Sequence, residues 1–135
     1  MPSATDTTAV APGRLWTGRI VGALAVLFLL FDTVIKLLRL PLAVEGTAQL
    51  GYPERLVLWI GIIELVCVAV YVTPRTAVLG AILLTGYLGG AVATHVRIGS
   101  PLLSHVLFPV YVGLLVWGSL FLRDGRLRTL VPLRE

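Results

Sequence analysis

Four long apolar runs dominate this chain, at residues 15–38, 56–72, 76–94 and 102–122. About 20 apolar residues suffice to cross a bilayer. Hydrophobic residues make up 57% of the chain and charged ones 13%, against roughly 25% charged in an average soluble domain. Too few charges remain to clothe a water-facing surface. The pattern predicts an all-α fold, a four-helix transmembrane bundle running up-down-up-down.

The third run ends in an unusual stretch, Thr85 to Arg97. On a helix, Gly86, Gly90 and Ala93 share one narrow face, and His95 falls on another with Leu84, Leu88 and Ala91. In water each glycine costs a helix about 1 kcal/mol relative to alanine. In lipid, small residues four apart let helices approach closely, so Gly86, Gly90 and Ala93 are expected to pack against a helix of this chain or of a second copy.

Residues 1–13 are rich in Ser, Thr, Ala and Pro and read as a disordered tail. Residues 14–123 form the membrane domain, and 124–135 a basic tail. The first run, 24 residues at 15–38, exceeds the roughly 7–15 apolar residues of a signal peptide. It contains Asp32 and Lys36, yet residues 20–40 also hold 14 Leu, Ile, Val and Phe. Those offset two charges at about −6 kcal/mol, and a lysine near a helix end reaches the interface, so insertion is favoured. Between spans one and two, Pro41 and Gly51-Tyr52-Pro53 bracket residues 42–50, a short interfacial helix. Pro109 is expected to disturb the fourth span.

Four spans put both termini on one side. That side carries seven arginines (Arg14, Arg19, Arg75, Arg123, Arg126, Arg128 and Arg134), and the other carries four cations, Lys36, Arg39, Arg55 and Arg97. The positive-inside rule makes the termini cytoplasmic. Net charge is +4, but the basic residues sit between apolar runs, which argues against nucleic-acid binding. One cysteine, Cys67, excludes an intrachain disulfide and a cysteine-rich metal site.

At 1.5 Å per residue, Asp32 lies about 9 Å, Glu64 about 12 Å and His105 about 5 Å inward from the outer ends of their spans. Ionisable groups at membrane depth are functional candidates, because hydrocarbon penalises them unless they pair or meet water. An outward-opening polar pocket is therefore expected, lined by Asp32, Lys36, Glu64, His95 and His105, with Tyr71, Thr85 and Thr94 as further lining. Asp32 and Glu64 would be the catalytic pair if the site does acid–base chemistry on a lipophilic substrate. The plainer reading is that Asp32 and Lys36 neutralise each other and Glu64 bonds across helices. The tryptophans would be belt or packing residues. The histidine and carboxylate spacing matches no metal motif such as HExxH, and no metal is assigned. A quinone is the candidate ligand, since its carbonyls need donors such as His or Tyr beside an apolar slot.

The runs Gly80 to His95 and Ser104 to Pro109, with Phe31-Asp32, Lys36, Gly51-Tyr52-Pro53 and Pro74-Arg75-Thr76-Ala77, resemble the DoxX-like family of small bacterial membrane proteins. The resemblance covers about residues 14–123. It implies a four-helix transmembrane bundle and a link to membrane redox assemblies, with redox partner proteins. The family takes its name from a membrane subunit of an archaeal thiosulfate:quinone oxidoreductase. Whether the chain is such a subunit, a small membrane enzyme or a structural protein, alone or as a homo-oligomer, stays open at this point.

Overall fold

The computed structural model describes residues 10–130. Among these the regular structure is entirely helical: α1 (Pro12–Leu37), α2 (Pro41–Gln49), α3 (Leu56–Val72), α4 (Ala77–Arg97), α5 (Phe108–Arg123) and α6 (Gly125–Leu130). A 3₁₀ turn, Pro74–Thr76, leads into α4, and a π turn, Leu102–Val106, leads into α5.

Three segments are long and apolar enough to cross a membrane: Pro12–Leu37, Pro74–Arg97 and Leu102–Arg123. The fourth apolar helix, α3, has 17 residues, or about 26 Å. That is a little short of the roughly 30 Å hydrocarbon core. Trp16, Leu27, Ile63, Ile82 and Leu114 are among the many large apolar side chains left exposed. An exposed apolar surface this extensive belongs against lipid.

The element bounds differ instructively from the expected ones. α1 begins at Pro12, inside the segment read as a tail, because proline is well placed in a first helical turn. Residues 1–9 of that tail lie outside the described residues. α4 runs past residue 94 to Arg97, so His95 and Arg97 are helical. The fourth run is not one continuous helix. Its first turn is π, and α5 starts afresh with Pro109 in its own first turn, where the missing N–H is harmless. In the basic tail Gly125–Leu130 is helical, and residues 131–135 lie outside the described residues. The connector helix is Pro41–Gln49, reached through Arg39 at φ 52°.

Close helix crossings are made by glycines other than those expected. A Cβ on Gly80 would strike the backbone of Tyr71, and one on Gly22 the Ser119 hydroxyl. One on Gly61 would sit 2.9 Å from Lys36 Cβ. By contrast, no described residue comes within 4 Å of a Cβ built on Gly86 or Gly90, and Ala93 is exposed. Among the described residues the Gly86–Gly90–Ala93 face is thus not a helix crossing. Buried apolar residues of the four long helices, including Ala25, Leu29, Val68, Leu84 and Val116, form the main core. Two buried polar bonds tie its lower part together: Ser119 Oγ donates to the Gly18 carbonyl at 2.7 Å and Tyr71 Oη to the Val116 carbonyl at 2.9 Å. Each satisfies a hydroxyl that would be costly to leave unpaired.

Candidate ligand-binding site

At the other end of the bundle, the end of α1, the start of α3, the end of α4 and the start of α5 surround a cavity of about 870 Å³. α2 helps to wall it, with Ala43 and Val44 packed on Ile35 and Val57. Two bonds fix the following connector to α4. Arg97 Nη2 donates to the Leu50 carbonyl at 2.6 Å, and Tyr52 Oη lies 3.0 Å from Thr94 Oγ1. Gly51 between them has φ +88°, a backbone conformation that glycine adopts without strain.

The polar floor of the cavity is built around one ammonium. Lys36 Nζ donates to Asp32 Oδ2 one turn earlier on α1, to Glu64 Oε2 on α3 at 2.9 Å and to Tyr87 Oη on α4 at 2.8 Å. Tyr87 Oη in turn donates to Glu64 Oε2 at 3.1 Å. The bare surface of Gly61 lets α1 come close enough for the Lys36 stem to pass. Glu64 is 0% exposed, yet its second oxygen, Oε1, has no hydrogen-bond partner among the described residues. Thr33 Oγ1 on α1 is likewise buried and unpaired. A buried acceptor without a donor costs free energy, so these atoms mark where the protein is not complementary to itself.

The expected site residues divide into two groups. Asp32, Lys36, Glu64, His95 and His105 all line this one cavity. The histidine rings stand edge-to-face with centroids 5.8 Å apart. His95 Nδ1 is 3.0 Å from Ser100 Oγ, and His105 Nδ1 is 2.8 Å from Ser104 Oγ. Tyr71 and Thr85 are elsewhere. Tyr71 is buried against α5 through its bond to Val116, and Thr85 Oγ1 accepts from Trp117 Nε1 at 2.7 Å. Gly86 and Gly90 are part of the cavity wall.

Tyr87 was not among the expected site residues, although a phenol at mid-span has to find a polar partner, and that was the available signal. Tyr52 and Trp59, which also line the cavity, lie at positions where the sequence marks only a turn and an interfacial aromatic. Among the described residues no group of three or more His, Cys, Asp or Glu side chains could hold a metal ion.

Apolar helices of membrane-crossing length, lipid-facing side chains and a buried ionic cluster together define an integral membrane protein of helical type, in contact with the bilayer. The sequence model of the DoxX-like family matches residues 20–119. The chain therefore belongs to the DoxX-like family. Comparison with curated proteins and with solved structures gives no match.

Proposed function

We propose that this chain is a membrane subunit of a quinone-linked redox assembly, whose cavity holds a lipophilic molecule by a polar head. The observation that supports this is an apolar cavity of about 870 Å³ ending on the Lys36–Asp32–Glu64–Tyr87 cluster. Ligand sites commonly enclose about 300–1,000 Å³ and combine apolar walls with a few convergent polar groups. A quinone-type ring with an isoprenoid or alkyl tail suits such walls, which include Phe28, Trp59 and Phe108.

In this reading the four long helices cross a bacterial inner membrane up, down, up and down, with both termini cytoplasmic. The arginine-rich end supports that orientation. Arg14 and Arg19 start α1, Arg75 lies in the turn before α4, and Arg123 ends α5 close to Gly18. The cavity then faces outward.

A second reading is acid–base catalysis by Asp32 and Glu64 on a lipophilic substrate. It is favoured by one fact: both carboxylates meet on the same ammonium. Purification in mild detergent, followed by mass spectrometry of co-purified small molecules, tests the ligand reading. A quinone-type or similar polar-headed lipophile is expected, retained by the native chain and lost on Glu64→Leu substitution. A preparation that is empty and binds no added quinone or hydroquinone would refute it. Single-cysteine labelling from either side, at Arg19→Cys and Arg39→Cys in a Cys67→Ala background, tests the orientation. Labelling of both positions from the same side would exclude it.

A further inference from the structure

Hydrogen-bond accounting at the cavity floor limits what head group can bind there. A lysine ammonium has three donors and no acceptor, and a tyrosine hydroxyl has one donor. Lys36 directs its three at Asp32, Glu64 and Tyr87, and Tyr87 directs its one at Glu64. Nearby, Thr94 Oγ1 donates to the Gly90 carbonyl at 2.8 Å, so Tyr52 is the donor in the Tyr52–Thr94 bond, and its proton is used as well. The unpaired Thr33 hydroxyl does not line the cavity, so what remains at the floor is acceptor capacity. Glu64 Oε1 is buried without a partner, and no described hydrogen bond reaches Asp32 Oδ1, on a side chain 32% exposed. The histidines keep Nε2 atoms without a described partner, but His95 lies eight residues beyond Tyr87, about 12 Å along α4.

We infer that the floor selects a lipophilic molecule whose head donates hydrogen bonds, a hydroxyl or an ammonium, over one whose head only accepts them. This deepens the ligand reading above and rests on it. For a quinone-type ligand the preferred form is the reduced one. Its hydroxyl supplies the donor that Asp32 Oδ1 lacks, on the partly exposed carboxylate, whereas a quinone carbonyl would face that oxygen and, behind it, the buried Glu64 carboxylate.

The test compares three probes with the same decyl tail, titrated calorimetrically into the detergent-solubilised full chain under anaerobic conditions: decylbenzoquinone, decylhydroquinone and decylammonium. A hydrogen bond to a charged acceptor corresponds to about a tenfold or larger change in affinity. Decylhydroquinone is expected to bind about tenfold or more tightly than decylbenzoquinone. Asp32→Asn and Glu64→Gln, each of which replaces an acceptor oxygen by a donor NH₂, are expected to shrink or invert that ratio. Binding of decylammonium with neither quinone form would assign the head as a cation and still support a donor. Equal binding of the two quinone forms, or preference for decylbenzoquinone, overturns the inference and leaves the ligand reading standing. No binding by any of the three overturns both.

Discussion

Lys36 and Glu64, 28 residues apart in sequence, meet at 2.9 Å between α1 and α3, with Glu64 fully buried and Lys36 nearly so. A buried ion pair adds little over apolar packing when intact, but breaking it by removing one partner is costly. The two helices are thereby fixed in rotation as well as in distance, because both side chains must reach the same point.

Lys36→Met should therefore destabilise the protein by about 3–5 kcal/mol, since Glu64 is left buried without its cation. Adding Glu64→Gln should restore a large part of the loss. Reversible unfolding in mixed micelles measures both. A double variant no more stable than Lys36→Met would show that the pair is not coupled.

Tyr87→Phe removes one acceptor for Lys36 and one donor to Glu64 while keeping the ring. The expected loss is about 1–3 kcal/mol, with the helical content unchanged by circular dichroism. Unaltered stability would mean that the phenol is not held where the hydrogen bonds require.

Two glycines on α4 should behave oppositely. Gly80→Leu forces side-chain atoms into the Tyr71 backbone and should cost about 1–3 kcal/mol through overpacking, or more where the helices cannot separate. Gly86→Leu meets open space and should leave stability unchanged or raise it by up to about 1 kcal/mol, because glycine inside a helix costs about that much. It should nevertheless weaken ligand binding, because Gly86 lines the cavity. Thermal unfolding and the decylhydroquinone titration separate the two effects.

The connector after α2 is held to α4 by Arg97 and Tyr52. In an Arg97→Ala, Tyr52→Phe double variant, backbone amides of residues 47–52 should exchange faster with deuterium while those of α3 keep their protection. Segments with few remaining bonds open locally at low free energy. Equal protection in native and double variant would show that other contacts hold this segment.

Much of the fold was legible because hydropathy is a local property. The apolar runs, their approximate limits and the connector helix follow from run length, proline placement and the scarcity of charge. Asp32 and Lys36 were also readable as partners, since residues four apart on a helix are neighbours. Glu64 and the histidines stood out as polar groups in apolar runs. Which of them would meet was a different matter. Tyr71 and Thr85 are polar groups within apolar runs just as Tyr87 is, yet the pairing of helices turns the first two toward α5 and Tyr87 toward Lys36.

The same distinction governs the glycines. Gly86 and Gly90 have the spacing of a packing motif, but whether a bare helix face becomes a crossing depends on what the neighbouring helices present to it. Gly80 against Tyr71 and Gly61 against Lys36 form the crossings, and Gly86 and Gly90 are left as cavity wall. The sequence by itself determined that this chain enters lipid, which segments do so and which polar groups go with them, because transfer from water depends on each residue's own chemistry. Only the tertiary structure decided that one ammonium gathers two carboxylates and a phenol beneath a cavity, because that depends on the relative rotation of helices far apart along the chain.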